Sequence, residues 1–162
     1  MNKILAIDFS TANTGYAFHH PETNEYIVGA INGGKSKNYI ERVDLMIKQI
    51  CDIIEEYRLY NYFVAIEEPI ITMKTKGTIN LIRANGYFLA GIRTRYNIGF
   101  VDIPNSKWAS YNFIKGKRPE RKKQSMAILE SFDIVDKKDI NDDMADAFCI
   151  LLYTDSLGDK EE

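Results

Sequence analysis

Four acidic residues of this chain stand where a carboxylate is costly unless a cation uses it. Asp8 closes the apolar run Ile4-Leu5-Ala6-Ile7-Asp8, Glu67 closes Phe63-Val64-Ala65-Ile66-Glu67, and Asp143 and Asp146 share the segment Asp142-Asp143-Met144-Ala145-Asp146-Ala147. Residues three apart on a helix lie on one face, so Asp143 and Asp146 point together while Asp142 is turned about 100° away. That face also carries Ala147 and Ile150, which places the acids on a buried edge. An all-oxygen donor set of this kind suits a hard divalent ion, Mg²⁺ first and Mn²⁺ as an alternative. A second reading, in which Asp142 and Asp143 only cap the helix and complement its dipole, fits the spacing equally well.

Hydrophobic periodicity supplies the elements that must hold these acids. Residues 3–9 read as a strand, and 16–18 and 26–28 as two more, joined by the turn His20-Pro21-Glu22-Thr23-Asn24. Val43, Ile47, Ile50, Cys51 and Ile54 recur at helical spacing and predict an amphipathic helix over 38–57. A strand follows at 63–67, a helix with Gly86 and Gly91 at 77–95, a strand at 99–103, and helices at 105–113, 120–132 and 141–156. The expected class is α/β, a mixed five-stranded sheet with three antiparallel strands first and parallel strands after. In a parallel pair, Asp8 and Glu67 project from the carboxyl ends of neighbouring strands, the edge where open α/β sheets place ligands. Strand alternation lets only one of Glu67 and Glu68 face the site, and the small residues Ala6 and Ala65, two positions before Asp8 and Glu67, favour Glu67.

At 162 residues, 45% hydrophobic and 27% charged, the chain fits one domain, expected over 1–157 with a flexible acidic tail at 158–162. No apolar run nears the roughly 18 residues that a membrane span needs, and the N-terminus enters a strand directly, so a cytoplasmic protein with no membrane association is expected. Cys51 and Cys149 lie in apolar helical stretches without CxxC spacing and read as buried reduced thiols. The net charge of −2 hides an uneven distribution. Residues 107–123 carry Lys107, Lys115, Lys117, Arg118, Arg121, Lys122 and Lys123 against Glu120 alone, and residues 70–96 carry Lys74, Lys76, Arg83, Arg93 and Arg95 with no acid. Two such stretches can follow a phosphate backbone, although solvated surface lysines account for either one alone. Trp108, Tyr111 and Phe113, set among these bases, read as stacking platforms or as core. His19 and His20, beside the turn, read as exposed hairpin residues without a role.

Ile7-Asp8-Phe9-Ser10 with Thr14-Gly15-Tyr16, then Ala65-Ile66-Glu67, then Asp143-Met144-Ala145-Asp146-Ala147 resemble the RuvC-type Holliday junction resolvases in order and spacing. The resemblance runs from Asn2 to about Tyr153. It implies an RNase H-like fold, a homodimer, and metal-dependent resolution of four-way DNA junctions by paired symmetric nicks. It also implies catalytic and metal-binding roles for Asp8, Glu67, Asp143 and Asp146, with Lys107 and one of Lys122 or Lys123 as basic partners. Lys74, Lys76, Lys107, Lys115, Lys117, Arg118, Arg121, Lys122 and Lys123 are the expected DNA contacts. The chain departs from the family's usual Asp-Pro-Gly, having Asp8-Phe9-Ser10, and carries no aromatic shortly after Glu67. Its compact length and divergent first motif resemble a bacteriophage member, for which the compartment is the host cytoplasm.

Three alternatives remain at this level. A nuclease acting on forks or flaps fits the same acids, as does a non-catalytic branched-DNA-binding module. The run Asp8 to Gly15 is also similar to the first phosphate loop of actin-like ATPases, but those need a second domain that 162 residues do not supply.

Overall fold

The structure, a computed structural model, describes residues 3–71 and 75–158. In chain order the elements are β1 (Ile4–Phe9), β2 (Asn13–His19), β3 (Tyr26–Asn32), α1 (Tyr39–Glu56), β4 (Phe63–Glu67), α2 (Lys76–Tyr96), β5 (Phe100–Ile103), α3 (Asn105–Tyr111), α4 (Arg118–Ser131) and α5 (Asp142–Gly158). A single 3₁₀ turn, Lys137–Asp139, precedes α5. The five strands form one mixed sheet in the order β3-β2-β1-β4-β5, antiparallel among the first three and parallel from β1 through β5. The expected class and strand directions therefore hold, with β2 and β3 extended beyond their apolar centres by ladder pairing as far as Asn13↔Asn32.

Strand alternation sorts large and small side chains onto opposite faces. Leu5, Ile7, Phe18, Val64 and Ile66 share one face, where they pack with Met46, Ile50 and Ile54 of α1 and Ala84, Phe88 and Ile92 of α2. Ala6, Ala17 and Ala65 share the other face and meet Ala145, Phe148 and Cys149 of α5, with Trp108 and Leu129 beside them. Small side chains allow a helix axis to come close, and Gly15 marks the limit of that approach. A Cβ built on Gly15 would lie 1.9 Å from the backbone oxygen of Asp143, so only glycine lets α5 rest there. Since Gly15 pairs with Asp8 across β1 and β2, this contact delivers the start of α5 to the end of β1.

Helix α2 divides its apolar residues between two environments. Leu89 and Ile92 are buried toward the sheet, whereas Ile79 and Ile82 stay exposed. Gly91 admits Ile47 of α1, whose Cδ1 would stand 2.8 Å from an added Cβ, while Gly86 faces open space. Cys51 and Cys149 are both buried free thiols. The helix expected at 120–132 starts earlier: α4 already begins at Arg118, and the Lys115 backbone before it is held by two hydrogen bonds with the Gln124 side chain. His19 is a second correction. It is only 9% exposed, and its Nε2 lies 2.6 Å from Asp155 of α5, a partner 136 residues away that no local pattern reveals. Of the tail expected at 158–162, Gly158 ends α5 and the remainder lies outside the described residues.

Candidate metal centre

β1 and β4 run parallel with Ile7 opposite Ile66, so Asp8 and Glu67 emerge side by side at their carboxyl ends. The turn after Asp8 is built by Ser10, whose hydroxyl accepts from the Asn13 amide at 3.1 Å and donates to the Asn13 carbonyl at 2.6 Å. This serine turn leaves the Asp8 carboxylate in place without a Pro-Gly pair. At the start of α5 the cap is Asn141, whose Oδ1 accepts from the Met144 amide at 2.9 Å. Asn141 is therefore the cap, while Asp142 and Asp143 stand in the first turn of α5, where their charge also complements the helix dipole.

Asp8, Glu67, Glu68, Asp142, Asp143 and Asp146 line one cavity of about 540 Å³. The expectation that only one of Glu67 and Glu68 faces the site is corrected, because β4 ends at Glu67 and strand alternation does not govern Glu68. The cavity's other walls include Pro69 and Ile70 after β4, Asn85 of α2, Asn105 and Trp108 of α3, and Gly116, Arg118, Arg121 and Lys122 at the start of α4. Burial pushes the Asp8 carboxyl well above the ordinary carboxylate range, and the charges of Glu67, Asp146, Asp143 and Asp142 push it further. Asp146 is raised to about 6, mainly by burial and then by Glu67 and Asp142, with the Ser125 hydroxyl and Lys122 pulling the other way. Asp143 is raised by burial and by Asp142, opposed by Lys122. Crowded carboxylates that resist ionisation together are the electrostatic complement of a cation.

Two of the acids are already engaged. Glu67 Oε1 accepts from Asn105 Nδ2 at 2.5 Å and from the Trp108 indole at 3.1 Å, and Asn105 Oδ1 in turn accepts from Arg121 at 2.5 Å. Lys122 pairs with Asp142. Among the described residues no group of three or more His, Cys, Asp and Glu side chains is drawn tightly enough to hold an ion. Glu67 is clasped by α3 and Asp142 by α4. The donor set nevertheless fits a hard divalent ion in kind: its groups are all oxygens, share one cavity and carry excess negative charge.

The predicted basic residues fall into three groups. Arg118, Arg121 and Lys122 line the cavity. Lys76, Lys107, Lys115, Lys117 and Lys123 are exposed and do not line it, so of the Lys122 and Lys123 alternatives only Lys122 reaches the carboxylates. Lys74 lies outside the described residues. Asn105 escaped the sequence reading, and Trp108 entered it only as a stacking platform or core residue, although their three-residue spacing on a helix that directly follows a strand puts both on one face. Of the three aromatic residues, Trp108 is buried, Tyr111 packs against Tyr153 at 5.8 Å, and Phe113 is exposed.

A mixed sheet whose parallel strands end in acids, closed by an acidic C-terminal helix, is an RNase H-like fold, and solved structures with low sequence identity share it. RuvC of Thermus thermophilus in complex with a Holliday junction substrate aligns with a TM-score of 0.65 at 14% identity, covering 91% of this chain and 88% of that one. RuvC from the same organism in a second structure aligns at 0.64 and 12%, covering 96% of each chain. The fowlpox virus resolvase in complex with Holliday junction DNA aligns at 0.54 and 18%, covering 95% and 97%. By sequence, no curated protein matches. Residues 1–156 match the family described as Lactococcus phage M3 protein (DUF3882), and the chain belongs to that family.

Proposed function

We propose that this chain is a divalent-metal-dependent endodeoxyribonuclease that resolves four-way DNA junctions by paired symmetric nicks. The observation that carries the reading is the convergence of Asp8, Glu67, Asp143 and Asp146 on one cavity walled by Arg118, Arg121 and Lys122. The two RuvC structures and the fowlpox resolvase, which share this fold over nearly the whole chain, support it. Bound Mg²⁺ or Mn²⁺ would lower the pKa of an attacking water and offset charge on the leaving oxygen. The four carboxylates would hold the metal, and the raised pKa values of Asp8, Asp143 and Asp146 mean that binding displaces protons from those three. Asn105 and Trp108 orient Glu67 by fixing one of its oxygens. Arg118 and Arg121 offer the phosphate backbone two planar donors at the cavity wall, and Arg121 also anchors Asn105.

A two-fold symmetric junction needs two cuts at a fixed separation, which a two-fold symmetric homodimer provides. Ile79 and Ile82 on α2 are among the exposed apolar residues that such a contact would cover. The domain is proposed to span 1–157, and its compartment is the host cytoplasm if the gene is carried by a phage. Among the described residues no helix is long and apolar enough to cross a membrane.

The test is incubation of purified protein with a labelled four-way junction, a replication fork and a linear duplex, each with Mg²⁺ and with EDTA. Symmetric nicks confined to the junction and to the metal-containing reactions are expected. Equal cutting of the fork would replace the resolvase with a broader branch nuclease, and tight junction binding without cutting would leave a binding module.

A further inference from the structure

The end of α3 presents a feature that neither packing nor backbone preference explains. After Tyr111 the helix closes in a Schellman arrangement, with the Phe113 amide donating to Ser110 at 3.1 Å and the Ile114 amide to Ala109 at 2.9 Å. This places Phe113 in the left-handed region at φ 59°, the position glycine prefers because it has no Cβ. Arg58, Asn97 and Asp133, at the ends of other helices, adopt the same conformation with polar side chains that water solvates. Phe113 instead carries an apolar ring that is 82% exposed. The loop is not slack: Asn112 Nδ2 donates to Trp108 and Cys149 carbonyls, Ile114 is buried, and Lys115 is clasped by Gln124. The ring is therefore held outward on a fixed base.

Its surroundings define what it can meet. Lys115, Lys117 and Arg118 follow within five residues, all exposed, and Gly116, three residues on, lines the carboxylate cavity. Three residues of chain span at most roughly 10 Å, so the backbone of Phe113 stands within about that distance of Gly116 at the cavity rim. A planar apolar ring beside phosphate-seeking cations is the combination that binds unstacked bases. We infer that Phe113 is a base-stacking residue that receives an unpaired or unstacked base at the branch point of the DNA, with Lys115, Lys117 and Arg118 holding the adjoining phosphates. The inference rests on the branched-DNA reading of the cavity and adds to it a residue that separates branched DNA from linear duplex, where every base is stacked.

The experiment compares wild type, Phe113→Gly and Phe113→Trp for equilibrium binding to a four-way junction and to a linear duplex in EDTA, at several salt concentrations, with thermal unfolding alongside. Phe113→Gly is expected to weaken junction binding about tenfold while duplex binding changes less than about twofold. Its salt dependence should be unchanged, since no charge is lost, and its unfolding temperature should be equal or higher, since glycine suits the left-handed position. Phe113→Trp should restore junction binding. A lower unfolding temperature with equal losses on both DNAs would show a structural role and overturn the inference. Unchanged junction preference in Phe113→Gly would overturn it while leaving the resolvase reading intact, and absence of any junction preference in wild type would overturn both.

Discussion

The two faces of the central sheet are built for different ends. The face carrying Leu5, Ile7, Phe18, Val64 and Ile66 is filled by large side chains from α1 and α2. The face carrying Ala6, Ala17 and Ala65 gives up side-chain volume so that α5 can approach, and that approach brings Asp143 and Asp146 to Asp8 and Glu67. Burial on the first face stabilises the fold; proximity on the second gathers carboxylates that repel each other. Strand alternation thus puts the carboxylates on the side of the sheet covered by α5, beside a second buried cluster that includes Phe148 and Leu151.

The sharpest way to break the comparison is Gly15→Val. Its added atoms meet the Asp143 backbone, so α5 must lift from the sheet and cleavage should vanish even at temperatures where the protein remains folded. Phe88→Ala on the opposite face should cost about 3–5 kcal/mol of stability and yet leave cleavage below its unfolding temperature near the wild-type rate. Loss of cleavage by folded Phe88→Ala, or full activity in Gly15→Val, would erase the distinction.

Asp146→Asn is expected to abolish cleavage while retaining junction binding, and to raise the unfolding temperature of the metal-free protein at neutral pH. The reason is that Asp8, Asp143 and Asp146 hold protons more tightly in the folded chain than their ordinary value of 3.8 allows. From that value up to about 6 for Asp146, the native state binds more protons than the unfolded state. Metal-free stability should accordingly fall as pH rises through this window and stay low above it. Mg²⁺ should restore unfolding temperature at neutral pH and have little effect near pH 4, where the carboxyls are protonated. Calorimetry at the two pH values checks both signs.

Smaller effects sharpen the account at the cavity wall. Asn105→Ala frees Glu67 from one of its two donors and should lower metal affinity and cleavage roughly 10–100-fold, with DNA binding retained. Arg118→Gln should weaken junction and duplex binding alike and reduce the salt slope by about 1. A change in metal affinity in Arg118→Gln would show that it supports the carboxylates, in addition to lining the path of the DNA.

Much of this was legible in the chain because it depends on period-two alternation. Ala6 and Ala65 already marked the face on which Asp8 and Glu67 lie, and the parallel pairing of their strands matches the expected mixed sheet. What escaped depends on contacts between distant segments. The Asn105 and Trp108 clasp on Glu67 joins α3 to β4, and the His19 pair with Asp155 joins a hairpin to the last helix. Asn141 was overlooked as the cap because two acids followed it, although Asn is among the best capping residues. Gly15 was visible as a motif residue, but its reason, the approach of Asp143, belongs to tertiary structure.

The most direct measurement of the central claim is an anomalous diffraction map from crystals of this protein soaked in Mn²⁺. The account predicts a peak between Asp8, Glu67, Asp143 and Asp146 that is lost in Asp146→Asn crystals. A peak elsewhere, or none at this cavity in well-diffracting wild-type crystals, would contradict it.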